Sequence, residues 1–74
     1  MMKPVQTYRG DWVVQHPNGV SRPGVFADEA AAIASMYLTE SRLFALYRPM
    51  RDGGSPLTKP QIDEAKELME KEYG

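Results

Sequence analysis

The sequence predicts an α+β fold: a small antiparallel β-sheet, built from a hairpin and a third strand, packed by one helix and followed by a C-terminal helix. Three observations predict it. Asp11-Trp12-Val13-Val14-Gln15 is rich in β-branched and aromatic residues and runs into the turn sequence His16-Pro17-Asn18-Gly19. Asp28-Glu29 then leads an alanine-rich run with strong helix propensity. Thr58-Lys59-Pro60-Gln61 opens a second amphipathic run near the C-terminus.

Residues 1–10 form an entry arm. Pro4 and Gly10 keep it from being helical; Val5, Thr7 and Tyr8 suit either a short strand or a mobile segment. Arg9-Gly10-Asp11 matches the integrin-binding tripeptide, but Asp11 reads here as the start of a strand. The core spans residues 11–48. Pro17 presets the second turn position and Gly19 supplies positive φ, which suits a type I turn closed by a glycine bulge. In that register His16 faces Val20, Val14 faces Arg22 and Trp12 faces Gly24. Trp12, Val14, Val20 and Phe26 then share one face, taken as the core side for its larger apolar surface. Pro23 cannot donate to a ladder, so the second arm is an edge or bulges at Pro23-Gly24.

Asp28 is the expected N-cap of the first helix, with Glu29 favouring its positive end. Ala30, Ile33, Ala34 and Tyr37 fall at helical spacing, with Leu38 close by, and make its expected buried stripe. Thr39 to Ser41 is a polar break. Beyond it, Leu43, Ala45 and Tyr47 alternate against Phe44, Leu46 and Arg48, which reads as a third strand. A helix is the alternative, in which Ile33, Tyr37, Phe44 and Tyr47 nearly share a stripe that Glu40 interrupts. Pro49 is expected to end either version. Residues 49–57 form a loop around Asp52-Gly53-Gly54-Ser55-Pro56. The last helix covers residues 58–73, with Thr58 and Gln61 as a capping box and Ile62, Ala65, Leu68, Met69 and Tyr73 as its apolar stripe.

Seventy-four residues make one domain of modest core. Folds this small usually add a disulfide, a metal or a partner. Absent cysteine and a single histidine leave the partner, with a second copy of the chain as one option. No metal or other cofactor is expected. No long apolar run or hydrophobic leader marks a membrane segment, and a reducing cytoplasm fits. Charge is nearly balanced but uneven: residues 1–51 hold six cations against four anions, +2, and residues 52–74 three against six, −3. A generic nucleic-acid binder would be clearly basic.

Catalytic patterns are absent from the sequence. His16 is the one side chain that ordinarily titrates near neutrality, and no spacing places a nucleophile or carboxylate beside it. The serines lack a nucleophile elbow, and Gly53-Gly54 lacks the lysine of a phosphate loop. Two groups suit protein binding: Tyr8 and Arg9 with Trp12, and Arg42 with Arg48 and Arg51. Trp and Arg dominate binding hot spots, and guanidinium groups pair bidentately with carboxylates. The bland readings are a core tryptophan and dispersed solubilising charge.

The run Asp11-Trp12-Val13-Val14, Pro17-Asn18-Gly19-Val20 and Gly24-Val25-Phe26-Ala27-Asp28-Glu29-Ala30-Ala31 resembles small accessory proteins of bacteriophages. With Met1-Met2-Lys3-Pro4-Val5 and the chain length, it resembles host-takeover proteins of the kind a lytic Xanthomonas phage uses to bind its host's RNA polymerase. The resemblance implies a protein without enzymatic activity that binds bacterial RNA polymerase in the host cytoplasm, inhibits initiation of host transcription and promotes antitermination. It carries over no individual residue. The rival expectations are an inhibitor of another host protein, such as a CRISPR defence complex, and a small DNA-binding protein.

Overall fold

The structure of the protein, a computed structural model, describes residues 1–51 and 54–73; the side chains of residues 49–51 and 73 lie outside that description. Its elements run β1 (Lys3–Gln6), β2 (Trp12–Gln15), α1 (Glu29–Ser35), α2 (Glu40–Arg51) and α3 (Lys59–Tyr73). The fold is α+β, with one two-stranded antiparallel sheet.

The entry arm is strand β1, paired with β2 in the register Lys3 to Gln15, Pro4 to Val14, Val5 to Val13 and Gln6 to Trp12. Trp12 exchanges both backbone hydrogen bonds with Phe26 on its other side, at 2.8 and 2.7 Å. The β1–β2 bonds therefore fall on the Val5 and Lys3 pairs. Pro4 occupies the alternate position, where an N–H would point away from β2. A strand tolerates proline there, and the missing donor blunts the outer edge.

On its other side β2 meets residues 20–26, as expected, but through isolated bridges. His16 donates to the Val20 carbonyl (2.9 Å), Gly19 to the His16 carbonyl (2.9 Å) and Arg22 to the Val14 carbonyl (2.7 Å). Gly19 has φ +89°, so this is the expected type I turn with its glycine bulge. The register then changes. Gln15 bridges Ser21 and Trp12 bridges Phe26, so three steps on β2 face five on the returning arm. The extra two residues are taken up around Pro23-Gly24. Trp12 thus faces Phe26, and not Gly24 as the unbroken register predicted. Gly24 lies at φ +109° under the Phe26 ring, where a Cβ would sit 3.0 Å from Cζ. Beyond Phe26, Leu57 adds one parallel bridge. Of the expected core face, Val14 and Phe26 are buried and Trp12 is half-buried, while Val20 is exposed.

Asp28 caps α1 in extended geometry, its carboxylate accepting from the Ala31 N–H at 2.8 Å. The buried residues of α1 are Ala31, Ala32 and Ser35. Of the predicted stripe, Leu38 is buried and Ala34 packs partly against the core, whereas Ala30, Ile33 and Tyr37 are exposed, Ile33 at 43% and Tyr37 at 67%. The correction has a steric reason. This helix is apolar on two faces, and the flatter face of small side chains lies closest on the sheet.

The expected third strand over residues 43–48 is helix α2. Thr39 starts it. Its Oγ1 accepts from the Arg42 N–H (3.2 Å) and its carbonyl from Leu43 (3.0 Å). The polar break is thus an N-cap followed by an acidic first-turn residue, Glu40. The helix also continues past Pro49 to Arg51, two residues beyond the expected stop. At α3 the Gln61 half of the predicted capping box forms, with the Thr58 N–H donating to Gln61 Oε1 at 2.9 Å. Val14, Phe26, Ala31, Ala32, Leu38, Leu43, Leu57, Ile62 and Ala65 make one core drawn from the sheet, the loops and all three helices. Among the described residues no helix is long and apolar enough to cross a membrane.

Two substitutions test this packing. Gly24→Ala meets both positive φ and the Phe26 ring, whereas Gly19→Ala meets open space. Each loses about 1–2 kcal/mol from backbone strain, and urea melts are expected to place Gly24→Ala clearly below Gly19→Ala. Arg22, 7% exposed, donates to the Leu38 carbonyl at 2.8 Å. Arg22→Met is expected to lower the urea-unfolding free energy by about 1–3 kcal/mol.

Candidate protein-interaction surface

The β1–β2 connection is a bonded turn. Thr7 donates to the Asp11 carbonyl (2.8 Å), and Gly10 to the Thr7 carbonyl (3.0 Å). Thr7 Oγ1 bonds the Asp11 carboxylate and accepts from the Arg9 N–H at 3.2 Å. The Gln6 side-chain amide reaches the Gly10 carbonyl at 3.2 Å. These bonds fix a tip that presents Tyr8, 95% exposed, with the Arg9 guanidinium 5.5 Å from its ring centroid. Asp11 is half-buried and bonded to Thr7, whereas Arg9 is exposed.

Trp12 does not join this pair as an exposed anchor. It is half-buried, packed against the core and bridged to Phe26. The structure therefore divides the first predicted group: Tyr8 and Arg9 project, and Trp12 supports the sheet beneath them.

The second group is divided as well. Arg42 bonds the Glu72 carboxylate, tying α2 to α3. Arg48 is exposed, and among the described residues no ion pair engages it. The Arg51 side chain lies outside the described residues. Arg42 and Arg48 are six residues apart on a helix, which puts them on different sides of it. They do not form one patch.

Sequence reading missed two features. Phe44, 52% exposed, stands with Tyr47 beside Val13, Pro23 and Val25 and lines a shallow groove against the bulge. Once α2 is a helix, Phe44 and Arg48 are neighbours at i, i+4. Thr39 followed by Glu40 was the signal that could have found this helix. The other feature is Arg22. Its guanidinium bonds the Leu38 carbonyl and, at 3.4 Å, the Ser35 carbonyl, with Nε 4.0 Å from Glu40. A buried arginine capping a helix end leaves no local pattern, because its partners lie 13 and 16 residues away.

His16 is partly exposed in its turn, with Nε2 3.3 Å from Glu40 Oε1, a carboxylate 24 residues away that no sequence spacing places beside it. Among the described residues no group of three or more His, Cys, Asp or Glu is placed to hold a metal ion. Comparison with protein-family models, with curated proteins and with solved structures found no match.

The division of the first group is testable by stability alone. Trp12→Ala is expected to cost about 2–4 kcal/mol, as a packed aromatic does. Tyr8→Ala should stay within about 0.5 kcal/mol of the unaltered chain, as an exposed side chain does. Equal effects in urea denaturation would contradict the assignment of Trp12 to the core.

Proposed function

We propose that this chain is a non-enzymatic protein-binding domain of a bacteriophage, acting in the cytoplasm of the bacterial host on its RNA polymerase. On this reading it inhibits host transcription initiation and promotes antitermination by occupying polymerase surface that the initiation factor or the nascent RNA requires. The observation that carries the binding role is the hairpin tip: a tyrosine 95% exposed, stacked on an arginine and held by a hydrogen-bonded turn. Ordering this tip before contact lowers the entropy lost on binding, and Tyr and Arg are the residue types that dominate binding energy. The choice of polymerase rests on the resemblance to phage host-takeover proteins.

Arg9 and the exposed Arg48 favour an acidic target surface. The chain as a whole carries net charge −1, which does not favour a phosphate backbone as the target. Phe44 beside Arg48 supplies a second apolar and cationic pair on another part of the surface.

The test is binding of the tagged chain to bacterial lysate treated with nuclease, followed by titration against purified core polymerase. Core subunits are expected among the captured proteins. Tyr8→Ala with Arg9→Glu is expected to weaken binding at least tenfold at unchanged stability, and Arg48→Glu by about threefold. Capture of a different host protein would move the reading to another host system, and retention only without nuclease would move it to DNA.

A further inference from the structure

Helix α1 carries more apolar surface than this fold covers. Its inner face, Ala31, Ala32 and Ser35, is buried. Its outer face, Ala30, Ile33 and Ala34, continues onto Tyr37 in the turn after the helix and lines an open groove with Lys59, Asp63 and Lys66 of α3. Ile33 and Tyr37 keep 43% and 67% of their surface in water. At one end of this face stands Glu29, exposed in the first turn of α1. At the other end the Lys66 ammonium lies 5.0 Å from the Tyr37 ring centroid.

The pattern along this face is self-complementary. Read from the N-terminal end, it runs small, large, small, large: Ala30, Ile33, Ala34, Tyr37. Read backwards, it runs large, small, large, small. An antiparallel second copy, related by a twofold axis between Ile33 and Ala34, sets each large side chain opposite a small one. Tyr37 then meets Ala30 of the other copy, and Ile33 meets Ala34. Two of the charges lining the groove, Lys59 and Asp63, pair with each other at 2.9 Å, which leaves Lys66 and the neighbouring Glu29 to meet a second copy. Glu29 at one end comes beside Lys66 of the other copy, and the twofold repeats that attraction at the opposite end. A parallel pairing would set like charges together and large side chains against each other.

We propose that the outer face of α1 is a homodimer interface, with a second copy of this chain packed antiparallel across it. The patch is a single short helix, so the dimer belongs to the small, weak class of interfaces. It gives a chain without disulfides an additional source of buried apolar surface.

Sedimentation equilibrium from about 10 µM to about 1 mM covers the range in which so small an interface assembles. The unaltered chain is expected to pass from monomer to dimer within it. Ile33→Glu should stay monomeric with an unchanged circular dichroism spectrum, since Ile33 is half in water. Glu29→Lys and Lys66→Glu are each expected to weaken the dimer about tenfold, because each replaces two attractions by two repulsions. The double variant Glu29→Lys with Lys66→Glu should regain most of the loss. That recovery separates a direct cross-copy pairing from general damage to the helix. A chain that stays monomeric at about 1 mM would overturn the proposal and leave this face to a different partner. So would a double variant at least as weak as the two single ones combined, or an Ile33→Glu chain that dimerises normally.

Discussion

The guanidinium of Arg22 stands where three segments of the chain meet. It arrives on the arm returning from the His16 turn, with its own N–H bonded to the Val14 carbonyl at 2.7 Å. Its side chain donates to the carbonyls of Ser35 and Leu38, where α1 ends, and faces Glu40, where α2 begins. A buried cation is tolerable only when its charge is answered. Here the two terminal nitrogens donate to the carbonyls at a helix end, while Nε, 4.0 Å from the half-exposed Glu40, has no hydrogen-bond partner among the described residues. The arm, the turn after α1 and the start of α2 must therefore keep their places relative to one another. Leu38 and Leu43, both buried, flank the same corner and close it with apolar contact.

This corner explains the surface around it. Glu40 lies beside Arg22 and His16 at the start of α2, and the buried Leu43 turns the helix toward the core. Phe44, the next residue, is then turned outward toward the bulge. The bulge exists because Pro23 cannot donate and Gly24 can adopt positive φ beneath the Phe26 ring. The exposed aromatic beside Arg48 thus follows from two local facts, a capped helix and an interrupted ladder.

Much of the backbone was legible in the sequence, and the reasons are local. Gly19 in the His16 turn, Asp28 before α1 and Thr58 with Gln61 before α3 each satisfy or terminate backbone groups within a few residues. A reading of neighbours finds them. The strand expected at residues 43–48 failed because Leu43-Phe44-Ala45-Leu46-Tyr47 is apolar throughout, so neither periodicity dominates, and the cap that decides the matter was read as a break. The stripe on α1 was right in part: Leu38 and Ala34 pack inward, but Ala31, Ala32 and Ser35 make the buried face, and a serine at helical spacing does not announce itself as core. Among the candidate site residues, Tyr8 and Arg9 were read as part of an extended or mobile arm, and the turn that presents them depends on β1 pairing with β2, which no local pattern announced. Placing Trp12 and Arg42 required their long-range partners, Phe26 and Glu72.

The two faces of α1 also set the terms on which so short a chain is stable. Seven helical residues with a sheet of two named strands against one side bury the alanine face by close backbone approach. Had the Ile33 and Tyr37 face been the one buried, larger side chains would have held the helix farther from β1 and β2. The small core residues Ala31, Ala32 and Ser35 would then have faced water, a poorer use of helix length. Choosing close approach leaves the bulkier side chains outside, partly shielded by α3 and by the Lys66 stem and ammonium over Tyr37. Close packing inside and apolar surface outside are thus the same choice. The surface left on α1 is a consequence of how the core is made, and it lies on a capped, hydrogen-bonded helix with its shape already set for contact.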